Sequence, residues 1–481
     1  MRIGILSPSY PPNRAPCSIG DFTKMLVPEL VRAGVEVAVF TGEDYGGPGE
    51  AEGAKVLRLA RGWGPASLTR IARAARDEKI GPLLVQYAPD LYPPSSAWIH
   101  FLPLAMRCLA PGVRTVLSMH TVGGPDFASK AGAGLMLATS TAILNTNEEV
   151  TSLIGKYMLR ALRKLGEVPI GANIEPAGGA ERRNEARKAA RDKVRVEEGL
   201  SPEGFILAHF GFYYPGKGAG QILEAAGRPK EGGRDFRLFM IGGRRADDEG
   251  FYPRLQERAG ALGLGGDVVW TGYVPDERVS EILLAADMFL APFEGGVSPR
   301  RGSLMAAIAH GLPLVSTPSK IETRYFRAGE NFAPVPFGDA RALAVDVSAL
   351  MADPARRDRL RAGAGALADV FSWPSIALRT RDFLDAVLSG RSPGAGAGQW
   401  ARAMDPGREQ IPAPPRISCS GRSIGEMYVS RAGWRVRGGR GGLCPEKRVS
   451  GVFGSLKRIV SHGLDRSRGR NWAPRPATRP G

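Results

Sequence analysis

Several features that would assign a protein class at once are absent from this chain of 481 residues. Only four cysteines occur, and no two form a C-x-x-C pair, which argues against a zinc knuckle or redox motif and favours a reducing, cytoplasmic compartment. No apolar run reaches the roughly 18 residues needed to cross a membrane. The opening MRIGILSPSYPPN predicts a first strand and loop rather than a secretion signal. No D-x-D triplet occurs, so we expect neither a bound metal nor a resident cofactor.

The formal charge of +17 is unevenly distributed along the chain. Residues 391–481 hold 18 Lys+Arg against 5 Asp+Glu, so the preceding body is nearly neutral. Glycine and proline replace periodic apolar residues in this basic tail, which we expect to be disordered. Such a tail could bind a nucleic acid or a membrane, but it assigns no chemistry to the body. We expect peripheral contact with the anionic inner face of a membrane and no specific nucleic acid.

The body alternates short β-rich runs with helical stretches, as in parallel sheets covered by helices on both faces. The charged stretch Ala180–Glu198 predicts an exposed helix that connects two such sets. We therefore expect an α/β protein with two Rossmann-like, doubly wound domains facing each other across a cleft. The predicted strands are 2–6, 35–40, 83–86, 115–119 and 142–145, then 205–210, 237–241, 268–271, 288–291 and 314–316. The predicted boundaries are 1–175 and 176–370 for the domains, 371–390 for a closing helix and 391–481 for the tail.

The loop Gly211–Gly218, with the sequence GFYYPGKG, follows a predicted strand. Its spacing is one residue short of a phosphate-binding P-loop, and Gly218 lacks the hydroxyl that would hold magnesium, which disfavours a nucleoside triphosphatase. In open α/β sheets, ligands bind at the carboxyl ends of strands. We interpret Lys217 as a point charge that projects into the cleft against a diphosphate, and the alternative is a solvated surface lysine.

A second cationic segment precedes an apolar helix predicted for Leu304–His310. The unpaired amides and positive dipole end of such a helix favour an anion. Ser298 is a suitable N-cap, and the guanidinium groups of Arg300 and Arg301 suit phosphate oxygens. We expect both arginines to converge with the lysine of the loop on one pyrophosphate. The alternative is a pair of exposed arginines that balance Glu294.

The order of these motifs resembles the second domain of the retaining family 4 glycosyltransferases of the GT-B fold. After the lysine loop come a strand ending in Gly-Gly at 242–243, VVWTGYV at 268–274 and a GLPLV strand at 311–315, in the order and spacing of the family. FSWPSIALRTRDFL at 371–384 resembles the family's closing helix. The likeness covers about residues 1–390, more loosely in the first domain. It implies transfer of a sugar from a nucleotide-sugar donor to a hydroxyl of a glycan, lipid-linked or small-molecule acceptor, with retention of anomeric configuration.

The chain departs from the family pattern at the donor site. The usual pair of glutamates eight residues apart is absent, since Ser298 and Ala306 take their places and Glu294 lies four residues earlier. Phe212 replaces the arginine that often follows the first glycine of the lysine loop. A branch of the family has Gly-Val-Ser-x-Arg-Arg ahead of the same helix, so we expect a variant donor site. A protein that binds sugar nucleotides without turnover is the alternative.

The resemblance also indicates residues in the first domain. His120 ends a predicted strand and resembles the histidine that faces the donor sugar in relatives, and the alternative is a structural histidine that caps the loop. Ser18 and Gly20 precede a helix predicted near Asp21, which favours either an anion-facing helix start or a structural turn. The expected catalytic residues are His120, Lys217, Arg300 and Arg301, and the expected donor-binding residues are Ser18, Gly20, Gly211, Gly218, Gly243, Glu294, Ser298, Gly302 and Ser303.

Overall fold

A computed structural model of the chain describes residues 1–10, 17–43, 49–88, 91–92, 97–121, 127–176, 183–244, 250–321, 323–391, 427–430 and 433–436. The chain forms two compact units, residues 1–405 and 406–481. The expected disorder of the tail therefore concerns positions that lie mostly outside the described residues.

Eight residues of the tail differ from that expectation. Met427–Ser430 pairs antiparallel with Gly433–Val436, which makes a hairpin. Both segments combine aromatic and β-branched residues across a short connection, a composition that favours paired strands.

The first lobe contains one sheet of eight strands. Its strands are β1 (Arg2–Leu6), β2 (Glu36–Gly42), β3 (Glu50–Ala51), β4 (Ala54–Ala60), β5 (Pro82–Tyr87), β6 (Arg114–Met119), β7 (Ala142–Asn145) and β8 (Leu165–Glu167). Its helices are α1 (Ser18–Arg32), α2 (Pro65–Asp77), α3 (Leu102–Leu109), α4 (Phe127–Thr139) and α5 (Glu148–Tyr157), with 3₁₀ turns at Ala97–Phe101 and Leu159–Lys164. The strand order is β3-β4-β2-β1-β5-β6-β7-β8, and only the β3–β4 pair is antiparallel. The order reverses between β1 and β5, which defines a switch point.

The second lobe repeats this design with a sheet of six strands. Its strands are β9 (Phe205–Phe210), β10 (Phe236–Ile241), β11 (Val268–Gly272), β12 (Met288–Ala291), β13 (Leu314–Ser316) and β14 (Ala333–Pro334). Its helices are α6 (Arg183–Glu197), α7 (Ala219–Glu231), α8 (Phe251–Ala261), α9 (Asp276–Ala285), α10 (Gly302–Ala309), α11 (Ala340–Ala352) and α12 (Pro354–Ala368). The order β11-β10-β9-β12-β13-β14 is parallel throughout and reverses between β9 and β12. Ligands of open α/β sheets bind at such a reversal.

A last helix of the body, α13 (Trp373–Leu388), returns the chain to the first lobe. It begins after Ser372, whose side chain accepts a hydrogen bond from the Ser375 amide, and a proline occupies its first turn. Phe383 and Leu384 are buried in the core that also holds the inward-facing residues of β1. The helix therefore belongs to the first lobe in packing although it follows the second lobe in sequence.

All ten predicted strands are present, with ends that differ by at most two residues. Four strands of the two lobes were not predicted. The strands β3, β8 and β14 have only two or three residues, which leave no periodic signal, whereas β4 has seven residues and was missed although it is long enough to carry one. The helix expected at Ala180–Glu198 is α6, and it is not an exposed link: Ala190 and Val194 are buried in the second-lobe core. These two apolar residues lie four apart on one helix face, so they pack together against the lobe. Across the residues described, no helix is both long and apolar enough to span a membrane.

Candidate active site

The loop between β9 and α7 buries its lysine at the switch point of the second lobe. Lys217 is 9% exposed, and its Nζ donates to Ser303 Oγ at 3.3 Å. The same Nζ lies 4.7 Å from the centroid of the Phe293 ring and 5.9 Å from that of Tyr214. Burial, and then the charge of Arg301, lower the pKa of Lys217 to about 8. The surface-lysine alternative is therefore wrong, and the ammonium group stays mostly charged at neutral pH.

Glycines allow this loop to lie against the end of β12. Gly218 has a φ of +78°, and a Cβ there would come within 2.4 Å of the Pro292 carbonyl oxygen. Gly211 lies at the other end of the loop. A Cβ at this position would lie only 3.0 Å from the Nζ of Lys217. A larger residue at either position would displace the loop.

Arg301 is the second cation of the site. Its Cζ lies 4.4 Å from the centroid of the same Phe293 ring, and its Nε donates to the Gly296 carbonyl at 2.9 Å. Burial, and then the charge of Arg300, lower the pKa of Arg301, while a hydrogen bond with Tyr214 acts in the opposite direction. Two cations thus share one aromatic ring in a poorly hydrated site, where a bound anion would relieve their repulsion.

Helix α10 begins beside this pair, two residues earlier than predicted. Its N-cap is Arg301, not Ser298, and no side chain caps the helix. The Ser298 carbonyl instead accepts a hydrogen bond from the Arg301 amide at 3.2 Å, so a turn separates the serine from the helix. Gly302 starts the helix against Asn173, and Ser303 in the first turn faces the lysine. Free amides of the first turn therefore lie next to both cations.

Arg300 lies outside this pair of cations. Its Nη2 is 3.0 Å from Glu149 Oε2 of the first lobe. Glu294 is exposed, and its amide donates to the Gly216 carbonyl at 2.9 Å, which places it beside the lysine loop. The alternative in which both arginines balance Glu294 is therefore wrong. Of the three cations expected to converge, the structure brings together two, because Arg300 has a carboxylate partner across the cleft.

Acidic residues of the first lobe make further contacts with the second lobe. Thr323 Oγ1 donates to Glu148 Oε1 at 3.0 Å. Glu167 binds two neighbours, with Arg324 Nη2 at 3.0 Å and the Tyr325 hydroxyl at 3.2 Å. Burial raises the pKa of Glu167, and the charge of Arg324 opposes this shift. These polar contacts connect the two lobes, and the side chains of Glu167 and Tyr325 are buried where they meet.

His120 lies at the carboxyl end of the first sheet, directly after β6. Its Nε2–H donates to Gln86 Oε1 at 2.8 Å, and its ring meets that of Phe22 edge-on at a centroid distance of 4.8 Å. Burial lowers the pKa of His120 to about 3. The imidazole is therefore neutral at physiological pH, and with Nε2 protonated its Nδ1 is a hydrogen-bond acceptor.

Ser18 and Gly20 lie inside α1 rather than before it. The helix begins at Ser18, and Cys17 is its N-cap without a side-chain hydrogen bond. Ser18 is exposed and Gly20 is buried. The helix was predicted to start near Asp21, three residues too late. The Asp21 amide already donates to the Cys17 carbonyl, so Ser18 and Gly20 belong to the first turn.

Gly243, at the end of β10, accommodates an aromatic ring. A Cβ at this position would lie 2.6 Å from the ring of Tyr273. Tyr273 in turn meets Phe212 edge-on at a centroid distance of 5.8 Å, and both are exposed. Phe212 therefore does not supply the positive charge that an arginine would bring to this position.

Sequence reasoning missed three residues that complete the site, namely His209, Tyr214 and Phe293. His209 Nδ1–H donates to the Leu290 carbonyl at 2.7 Å. Burial, and then the charge of Lys217, lower its pKa to about 4, so this histidine is neutral. A histidine near the end of the strand before the lysine loop was a visible signal, whereas the two aromatic residues resemble ordinary core residues in sequence. Within the described part of the chain, no group of three or more His, Cys, Asp and Glu side chains could hold a metal.

This arrangement defines a class of protein: a two-lobed α/β protein with a lysine and an arginine held together at the switch point of its second Rossmann-like lobe. A family model described as "Glycosyl transferases group 1" matches residues 190–366, and one described as "Glycosyl transferase 4-like domain" matches residues 19–169. The two matches together cover more than half of the chain. The chain belongs to the group 1 glycosyl transferases, and it is a glycosyltransferase of the GT-B fold.

Individual relatives agree with this family. Phosphatidyl-myo-inositol mannosyltransferase from Mycobacterium leprae is 25% identical over 328 residues, which cover 63% of this chain and 83% of that protein. Mannosylfructose-phosphate synthase from Agrobacterium fabrum is 28% identical over 229 residues, 46% of this chain and 48% of the relative. The crystal structure of Anabaena Alr3699/HepE in complex with UDP and glucose superposes with a TM-score of 0.60 at 15% identity, covering 80% of this chain and 100% of that one. The structural likeness establishes the fold.

Proposed function

We propose that the protein transfers a sugar from a nucleoside diphosphate sugar to an acceptor hydroxyl, with retention of anomeric configuration. The observation that carries this proposal is the placement of Lys217 and Arg301 on one Phe293 ring at the start of α10. Negative charge develops on the diphosphate as the glycosidic bond breaks. Cations held in place in a poorly hydrated site stabilise this charge without reorganising during the reaction.

We propose specific roles for the residues around the diphosphate. Lys217 and Arg301 bind its oxygens, and Ser303 with the free amides of α10 completes the anion site. These groups supply the positive charge without a bound metal or resident cofactor. Neutral His120 accepts a hydrogen bond at Nδ1 from a hydroxyl of the donor sugar, because its Nε2 is occupied by Gln86.

Arg301 replaces the charge that the family usually places in the lysine loop. Phe212 occupies that loop position and contacts Tyr273, so it offers no ligand for phosphate. Arg301 reaches the same loop through Tyr214, next to the lysine. The proposed donor site therefore has two cations, Lys217 and Arg301, although position 212 carries no charge.

We propose that the departing phosphate takes the proton of the acceptor on the same face of the sugar. Ala306 takes the place of the second glutamate of the family pair. It is buried and has no acid–base group. In this proposal the phosphate oxygen released by the donor, rather than a carboxylate, accepts the proton of the incoming hydroxyl.

Two measurements test the function. The purified chain is mixed with labelled uridine, guanosine and adenosine diphosphate sugars and with lipid-linked and small-molecule hydroxyl acceptors, and product formation is followed. Thermal unfolding with the three free diphosphates is measured alongside, since a ligand of the folded state raises the melting temperature. We expect one diphosphate to stabilise the protein and its sugar to be transferred. Stabilisation without transfer would indicate a protein that binds sugar nucleotides without turnover. If no diphosphate stabilises the protein, the proposed donor site is wrong.

We also propose a cytoplasmic location with peripheral membrane contact through the tail. The excess of 13 positive charges in residues 391–481 is the support, because each basic residue near an anionic bilayer contributes about 1 kcal/mol. Deletion of these residues should abolish sedimentation with anionic vesicles and leave sugar transfer unchanged. Loss of transfer on deletion would show that the boundary at 391 is wrong.

A further inference from the structure

An arginine of the first lobe has a buried charged group that no described residue hydrogen-bonds. Arg58 lies in β4, and its Nε, Nη1 and Nη2 are all buried and have no hydrogen-bond partner among the residues that the structure describes. A guanidinium group has five N–H donors and cannot give up its charge at physiological pH. Burying it without a partner is costly, so such a group calls for a compensating partner, and a bound anion is one.

Three unpartnered hydroxyl groups belong to the neighbouring strands and their carboxyl ends. Thr41 of β2 is the direct register partner of Arg58 in a parallel pair, so both side chains leave the sheet on the same face. Ser9 and Tyr10 follow β1, the next strand of the sheet. The hydroxyl oxygens of Thr41, Ser9 and Tyr10 are buried and, like the guanidinium, have no hydrogen-bond partner in the described part of the chain. Each of these groups is able to donate a hydrogen bond, and the combination suits an acceptor.

Two acidic side chains on neighbouring segments, Glu52 and Glu43, do not pair with the Arg58 guanidinium among the described residues. Burial lowers the pKa of Arg58, and the nearby Tyr10 acts in the opposite direction. Burial, and then the carboxylate of Glu52, raise the pKa of Tyr10 to about 12, while Arg58 opposes this. Glu43, which follows β2, is bound to Arg70 of α2. Neither acid is therefore a hydrogen-bond partner of Arg58.

We propose that Arg58, with the hydroxyl groups of Thr41, Tyr10 and Ser9, binds an oxyanion at the carboxyl ends of β4, β2 and β1. The ligand is a phosphate group, free or esterified, which offers several acceptor oxygens to a planar guanidinium fork and to hydroxyl donors. This site lies in the other lobe from the donor diphosphate and does not depend on the proposed sugar transfer. A phosphate ester here would be carried by the acceptor, and a free phosphate would be an independent ligand.

The test measures thermal unfolding of the full chain in sodium phosphate and in sodium chloride of equal ionic strength. Phosphate at fifty times its Kd should raise the melting temperature of the wild type by about 4 °C. Phosphate can also bind at the donor site, and Lys217→Ala removes that contribution to the shift. The shift that remains in Lys217→Ala should disappear when Arg58→Gln is added. Arg70→Gln is the matched control: it removes an arginine of the same lobe that is already paired, and it should keep the full shift.

Stability without phosphate gives a second readout. Arg58→Gln should unfold in chloride at the same temperature as the wild type or higher, because it removes an uncompensated buried charge. A merely structural arginine would give the opposite result. If Arg58→Gln does not fold, Thr41→Val keeps the arginine, removes one donor and should reduce the phosphate shift in the Lys217→Ala background.

Glucose 6-phosphate and glucose distinguish the source of the anion. A shift with glucose 6-phosphate that needs Arg58 and exceeds the shift with inorganic phosphate identifies an esterified ligand, and the reverse order identifies free phosphate. The proposal is overturned if Lys217→Ala alone removes the whole phosphate shift, or if Arg58→Gln and Thr41→Val both retain it. Failure of the donor site would instead appear as loss of nucleoside diphosphate binding with the Arg58-dependent shift intact.

Discussion

The two lobes place their strands in the same order around a switch point, but the side chains next to it differ in charge. At the second lobe, Lys217 and Arg301 surround one aromatic ring. At the first lobe, neutral His120 is bonded to Gln86, and the adjacent α5 begins with acidic residues. The shared topology determines where a ligand can bind, and the side chains determine which charge it carries. We infer that the second lobe takes the anionic half of the donor and that the region around His120 takes the uncharged sugar.

The strongest test of this contrast is Lys217→Ala. We expect kcat/KM to fall by about 10²–10³-fold, or roughly 3–4 kcal/mol, because a fixed charge that stabilises the leaving diphosphate is lost. Lys230→Ala is the control, since Lys230 is exposed and paired with Asp267, and it should leave the rate unchanged. Equal values of kcat/KM for Lys217→Ala and the wild type would contradict the assignment of the donor site to the second lobe.

The neighbouring arginines provide an internal comparison. Arg301→Gln should weaken binding of the nucleoside diphosphate by about ten- to a hundredfold, as expected for hydrogen bonds to a charged group. Arg300→Gln should change it less than threefold, because Arg300 is bound to Glu149. Titration calorimetry with the cognate diphosphate separates the two variants. If both lose affinity equally, Arg300 leaves its carboxylate when the donor binds, and three cations converge after all.

The depressed pKa of Lys217 predicts a pH dependence that the first lobe lacks. The folded, unliganded protein loses this proton near pH 8, below the ordinary value of a lysine, whereas bound diphosphate favours the protonated form. Affinity should therefore fall as pH rises through 8 and be about tenfold weaker at pH 9. Lys217→Arg should show a flat profile over this range. His120, whose pKa is about 3, should contribute no titration near pH 6.5. A wild-type profile that stays flat to pH 9 would contradict the assignment.

The smallest effect is expected from the contact between lobes. Glu149→Gln breaks a partly exposed ion pair with Arg300, and such pairs contribute about 0.2–1 kcal/mol. We expect a change of a few-fold in KM for the donor and a slight expansion in small-angle scattering. Reversing both charges, with Glu149→Arg and Arg300→Glu together, should restore the wild-type values. If the single and double variants behave alike, this pair does not hold the lobes.

The sequence predicted local features of the fold and site well and long-range contacts poorly. Strand positions and the lysine loop follow from periodicity and glycine placement, which act within a few residues. The start of α10 was predicted two residues late because its apolar run begins only at Leu304, and the N-cap expected at Ser298 is instead Arg301, since the Ser298 carbonyl closes a turn. The partner of Arg300 was not predictable, because Glu149 lies 151 positions away in the chain and meets it only through folding. Arg58 was missed because a strand arginine has no sequence signal for being unpartnered.

The return of the chain into α13 has a mechanical consequence. The connection out of the first lobe and the connection back into it run side by side, and the indole Nε1 of Trp373 donates to the Ala172 carbonyl at 2.7 Å. A Cβ at Gly171 would lie 2.5 Å from the same indole, so the two connections are in tight contact. Because the two connections are joined at this point, we expect it to act as the hinge about which the lobes rotate. Substrate entry and product release should therefore follow a single rotational coordinate.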